Sequence, residues 1–166
     1  MLTGQSLKDN IKAEASRLGF FVCGFAKAAP VTDAMRRHYL DWLAEGGNAE
    51  MAYLNNHLDK RFDPRLLVPG VKTIVVVALN YFPAHRLPDG EPQIADYALG
   101  LDYHDIVKQK LRQLAENVGF ADYRAFVDTA PVLERYWAVQ AGLGWIGKNQ
   151  QLIIPHAGSE FFLGEL

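Results

Sequence analysis

The chain has 166 residues, enough for one domain with a sizeable core, and its 49% hydrophobic and 22% charged residues are ordinary for a globular protein. A formal net charge of −2 supplies no global basic field for nucleic acid, so any such contact needs a local patch or another domain. The single cysteine, Cys23, excludes an internal disulfide and any multi-cysteine metal or cluster site.

In chain order, Leu7, Ile11, Ala15 and Leu18 share one helical face and Gly19 offers a stop, which predicts a helix over 6–18. The apolar run 20–25, with Cys23 inside it as a small buried hydrophobe, reads as a strand. Met35, Tyr39 and Trp42 share the face of a second helix ended by Gly46 and Gly47, and 51–56 reads as a short helical turn. Asp63-Pro64 and Pro69-Gly70 punctuate a loop. The stretch 72–81 is the clearest strand, β-branched and apolar on both faces, as expected of a central strand covered on both sides. A polar, proline-bearing loop spans 83–92.

Val107, Leu111, Leu114 and Val118 form another helical stripe closed by Gly119. Residues 123–128 read as a strand and 131–141 as a helix, with Pro131 in its first turn and Gly142 beyond its last. Two further strands, 151–154 and 160–166, are expected as a pair joined across 155–159. The whole predicts a three-layer α/β sandwich with a mixed β-sheet flanked by helices. No basic region followed by an apolar stretch opens the chain, and the longest apolar run, 74–79, is too short to span a bilayer. A cytoplasmic location without membrane contact is therefore expected. The apolar ending at Leu166, without cap, turn or polar tail, leads to the expectation that the chain is a piece of something longer.

Chemistry-bearing residues collect at the predicted element ends. Asp128 follows an apolar strand, where ligands of α/β sheets commonly gather and where partial burial would favour a protonated, donating carboxyl. The alternative is that it caps the helix near Pro131. Glu134 in the first turn of that helix is explained by the helix dipole, or else meets an amide or hydroxyl of a ligand. The segment from Gly142 to Asn149 is not a phosphate loop, because a helix precedes it and Asn149 follows the lysine. Its glycines serve a helix stop and turn, or let backbone lie against a planar cofactor, with Trp145 as stacking wall and Lys148 as polar anchor. Arg61 belongs to a solvated charge run or clamps an anionic or amide group. Asn80 and Tyr81 end the central strand, and Asp102, Tyr103 and His104 precede a helix that Asp102 can cap.

Several motifs resemble one family. They are the stretch from Asp59-Lys-Arg through Asp63-Pro-Arg to Tyr81, Tyr97-Ala-x-Gly-x-Asp-Tyr-His104, Val127-Asp-Thr-Ala-Pro-Val-Leu-Glu134 and Ala141-Gly-Leu-Gly-Trp-Ile-Gly-Lys148, with Ile11-Lys-Ala-Glu-Ala at the start. Together they are similar to the N-terminal domain of epoxyqueuosine reductases. The resemblance implies a cobalamin-binding catalytic domain over 1–166, similar to that of reductive dehalogenases and related to the nitroreductase-like fold. It implies an oxidoreductase of queuosine biosynthesis that removes the epoxide oxygen of epoxyqueuosine in tRNA, with Asp128 as proton donor. The cofactor-binding positions it implies are Arg61, Asn80, Tyr103, Gly144, Trp145, Ile146 and Lys148.

The family also implies two four-iron clusters in a ferredoxin-like domain and a helical repeat that helps bind tRNA. This chain has neither, and one cysteine cannot hold a cluster. By itself, as a monomer, it is expected not to turn over. Two other readings remain: a stand-alone corrinoid-binding module, and a flavin-binding oxidoreductase of nitroreductase type.

Overall fold

A computed structural model describes residues 4–166 apart from 86 and 89. Its spine is a three-stranded sheet in the order β1 (Val22–Lys27), β2 (Thr73–Asn80), β5 (Phe161–Glu165). β2 is central, as the two-sided apolar pattern predicts, and its Val76, Val77 and Ala78 are fully buried. The register runs from Val22 opposite Ala78 to Lys27 opposite Thr73 on one side, and from Val76 opposite Glu165 to Asn80 opposite Phe161 on the other. Every strand pairing among the described residues is antiparallel, so the expected mixture of strand directions is replaced by an antiparallel sheet. Four helical segments lie between β1 and β2, and the chain returns beside β1 rather than crossing over it.

The layering is as expected. On one face, α1 (Gly4–Arg17) and α5 (Tyr103–Val118) cover Cys23, Val75 and Val77 with Ile11, Ala15, Val107, Leu111 and Leu114. On the other, α2 (Asp33–Ala44) and α6 (Glu134–Gln140) cover Ile74, Val76 and Ala78 with Tyr39, Trp137 and Ala138. Alternate residues of β2 therefore serve opposite cores. Burial pushes the Cys23 thiol up to about 11, which leaves it an inert core residue.

Local signals set most helix ends. Thr32 accepts a hydrogen bond from the Met35 N–H to start α2, and Asp102 accepts one from the His104 N–H to start α5, which stops at Gly119 with φ of +83°. The predicted turn at 51–56 is a 3-10 helix over Ala52–Asn55. The charge run before the predicted loop lies in a short helix, α3 (Leu58–Phe62), and the loop itself contains another, α4 (Pro64–Leu67), capped by Asp63.

Three expectations need correction. The predicted strand at 123–128 survives only as a single bridge between Phe126 and Glu165, because the chain turns sharply at the next residues. The helix expected from Pro131 begins at Glu134. The strands expected as a pair across 155–159 do not pair with one another. β4 (Leu152–Ile153) pairs with β3 (Trp145–Ile146) in a separate hairpin, and β5 joins β2. The pattern marks strands but not partners, which are chosen by which open edge lies nearest.

Candidate active site

The site is built where β2 and β5 meet α5 and α6. The phenol of Tyr103, at the start of α5, stacks on Phe162 of β5 with centroids 4.0 Å apart and planes within 3°. His104 stacks on its other side at 4.1 Å, and Phe162 meets Tyr81 beyond β2 at 4.6 Å. This aromatic pile fixes the Tyr103 hydroxyl, which donates to Asp128 Oδ2. His104 Nδ1 lies 2.8 Å from Asp102 Oδ1 while its Nε2 lies 3.9 Å from Asp128 Oδ2, so the ring stands between two carboxylates. The Tyr103 hydroxyl is pushed far above the ordinary tyrosine range by burial first and then by Asp128, which keeps it a proton-bearing donor.

Asp128 does not cap a helix. The N-cap of α6 is Leu133, which makes no side-chain cap. Asp128 instead has a φ of +53°, the left-handed region, and sits at the centre of a tight turn in which the Thr129 N–H donates to the Val127 carbonyl over 2.5 Å. Strained backbone at a non-glycine residue persists only where the surroundings hold it. Part of that hold is the Asp128 N–H, which donates to Glu134 Oε1 over 2.6 Å. The Asp128 side chain is about half covered, 47% exposed.

The buried acids are its neighbours. Glu165 on β5 is 2% exposed, and neither of its carboxylate oxygens has a hydrogen-bond partner among the described residues. Its carboxyl is raised well above the ordinary glutamate range by burial first, then by the charges of Glu134 and Asp128. Glu134 is pushed up to about 8, again by burial first and then by Asp128. For Glu134 the sequence offers a helix-dipole role or contact with a ligand amide or hydroxyl, and it does not single out Glu165. The available signal was a lone carboxylate on the strand face otherwise formed by Phe161 and Leu163.

The remaining predicted positions divide into groups. Trp145 and Ile146 stand on the β3–β4 hairpin, 51% and 41% exposed, with Lys148 exposed in its turn. The hairpin is tied to the acid through α6: Glu134 holds Asp128 while the adjacent Arg135 donates to the Gln150 carbonyl. A Cβ on Gly144 would lie 2.0 Å from the Ile153 carbonyl oxygen, so close hairpin packing alone requires glycine there. Asn80 ends β2, donating to the Glu160 carbonyl over 3.1 Å and accepting from the Phe82 N–H. Arg61 lines a cavity of about 600 Å³ at the other end of β2, together with Thr73, Ile74, Trp137 and Glu165, and its buried Nε has no hydrogen-bond partner among the described residues. Among the described residues no group of three or more His, Cys, Asp or Glu is arranged to hold a metal ion, and no helix is long and apolar enough to cross a membrane.

Fold and site together define a layered α/β domain that presents a hydrogen-bonded, half-exposed carboxylate beside an exposed aromatic hairpin. The family described as "Epoxyqueuosine reductase QueG, DUF1730" matches residues 61–129, which include Arg61, Asn80, Tyr103 and Asp128. An epoxyqueuosine reductase of Cellulophaga algicola is 46% identical over 170 residues, covering 100% of this chain and 55% of the relative. That of Pseudomonas aeruginosa is 42% identical, covering 96% and 46%. Among solved structures, epoxyqueuosine reductase from Streptococcus thermophilus superposes with a TM-score of 0.82 at 29% identity, covering 95% of this chain and 44% of that one. An epoxyqueuosine reductase with an epoxyqueuosine-modified tRNA-Tyr stem loop gives 0.82 at 27% identity, covering 97% and 44%. The chain belongs to the epoxyqueuosine reductase family. It spans about half the length of the curated relatives it matches.

Proposed function

We propose that this chain is the catalytic domain of a cobalamin-dependent reductase that converts epoxyqueuosine in tRNA to queuosine, with Asp128 as proton donor. The observation that carries the reading is the Tyr103–Asp128 pair, raised on a left-handed turn at the end of the sheet, in a chain alike along its whole length to epoxyqueuosine reductases.

The residues present fit the cofactor. A corrin is a broad, largely apolar disc, and exposed apolar surface of that kind marks a binding face. Trp145 and Ile146 offer such a face, and Lys148 in the same hairpin offers an ammonium to the polar arms of the ring. When bound, the corrinoid would supply a strongly reducing metal centre. The chain's own residues supply the acid. Asp128, half exposed, can reach a ligand oxygen, and a proton delivered as the C–O bond breaks lets that oxygen leave as hydroxyl rather than as alkoxide. Tyr103 fixes the carboxyl through its own O–H.

The test is the longer protein containing this chain, supplied with cobalamin, a low-potential reductant and an epoxyqueuosine-bearing stem loop. Mass spectrometry should show loss of one oxygen from the modified base, and Asp128→Asn should abolish it while cobalamin still binds. Full activity of Asp128→Asn overturns the assignment of the acid. Uptake of FMN with indifference to cobalamin replaces the reading with a flavin oxidoreductase.

A further inference from the structure

The ladder between β2 and β5 stops short of the first residues of β2. Its last pair is Val75 and Leu166, which exchange two backbone hydrogen bonds of 2.8 Å. Bonding groups alternate sides along a strand, so Thr73 turns its N–H and C=O the same way as Val75. On the opposite edge of β5, Phe126 and Glu165 exchange bonds of 2.9 and 3.0 Å. Arg124 lies on a stretch, 123–125, without turn or bend, and by the same alternation it offers its N–H and C=O toward the same gap. No turn bond or strand pairing among the described residues takes up these groups on that side. Thr73 and Arg124 are the two rails of a slot one strand wide, in line with β5.

We infer that in the longer protein this slot takes a β-strand, in line with β5 and running the same way, supplied by the part of that protein outside residues 1–166. The relatives have the length for it: the match covers 55% of the Cellulophaga algicola reductase and 46% of the Pseudomonas aeruginosa one. The slot opens into the cavity of about 600 Å³, whose wall includes Thr73, Arg124, Phe126 and Leu166. That wall is apolar on both faces of the sheet, with Ile74 and Trp137 toward α6 and Leu7, Ile11 and Val75 toward α1. Successive residues of an entering strand therefore meet apolar surface on either side, the setting of a central strand. Glu165, 2% exposed, and Arg61 Nε line the same cavity without a hydrogen-bond partner among the described residues. Buried polar groups left so are costly, and an occupant with polar groups of its own relieves them.

The pairs already made fix the register. The first entering residue stands opposite Ile74 and bonds Arg124, and the second stands opposite Thr73 and bonds it. Pairing at Arg124 would extend the single Phe126–Glu165 bridge into a strand, as the sequence pattern predicts there, and give the sheet a fourth member. Lys8, Lys60, Lys72 and Arg124 outnumber Asp122 around the cavity, which favours acidic residues flanking the strand. An open edge also invites pairing with a second copy of the chain, an occupant the experiment separates.

Residue-resolved hydrogen exchange reads the slot directly. In this chain alone the Thr73 and Arg124 amides should exchange fast, while that of Val75, bonded to Leu166, is protected. In the longer protein both should slow by about tenfold or more, with Val75 little changed. Thr73→Pro removes the N–H on the slot side and no bond of the β1–β2 ladder, so in the longer protein it should return Arg124 to fast exchange and leave the β1 amides protected. If Thr73→Pro does not fold, Arg124→Pro is read at Thr73 instead. Fast exchange at Thr73 and Arg124 in the longer protein, or protection at Arg124 that Thr73→Pro does not move, overturns the proposal. Protection in this chain alone that rises with its concentration, together with dimers on gel filtration, gives the slot to a second copy and overturns it too. None of these outcomes depends on turnover, so the role of Asp128 stands or falls separately.

Discussion

Gly164 and Glu165 are neighbours in β5 that face opposite cores, and the two cores are built differently. Toward α1 and α5, a Cβ on Gly164 would lie 2.8 Å from Val107 Cγ1 and 3.0 Å from Leu111 Cδ1, so that layer closes directly on the sheet backbone. It is an apolar layer in which Val107, Leu111 and Leu114 are fully buried. Toward α6, the next residue is a buried carboxylate, Glu165, whose oxygens have no hydrogen-bond partner among the described residues. One face is optimised for packing. The other gives up stability to hold titratable groups beneath a strained, half-exposed acid.

The contrast is broken hardest at Asp128. Asp128→Asn in the longer enzyme should lower turnover by about 10² to 10⁴-fold, the usual span for a lost general acid, with an unfolding midpoint close to wild type. Asparagine tolerates the left-handed backbone, so the loss should be chemical rather than structural. The reverse result is expected across the sheet. Leu111→Ala should cost about 2–5 kcal/mol of stability by denaturant titration, since Leu111 is fully buried.

The pH dependence of folding separates the faces without any cofactor. Glu134 and Glu165 keep their protons to higher pH folded than unfolded, so their contribution to stability is intact below the ordinary glutamate range near 4.5 and declines as pH rises, that of Glu134 being lost through about 8. Stability measured from pH 5 to pH 9 should therefore fall, and Glu165→Gln should flatten that slope. A profile unchanged by Glu165→Gln would mean that the α6 face is as electrostatically quiet as the α5 face.

Smaller effects sharpen the picture. Gly164→Ala should destabilise by about 1–3 kcal/mol through overpacking against Val107 and Leu111. Asp128→Gly should raise the unfolding midpoint slightly by relieving the left-handed strain, and should lose turnover as Asp128→Asn does.

The sequence by itself determined the parts whose signals are local. The two-sided apolar run marked β2 as central, Asp102 and Gly119 bounded α5, and the motif around Asp128 singled out the acid. Period and capping act over one or two turns, so they can be read without knowing what the chain packs against. Tertiary structure alone decided the rest. It paired β5 with β2 rather than with β4, placed Arg61 in a cavity at the far end of β2 from Asn80, and left Asp128 exposed while burying Glu165. Strand partners and the burial of a charge depend on which surfaces meet across long sequence separations. Glu134 and Glu165 are ordinary surface-type residues until the α6 face of the sheet closes over them.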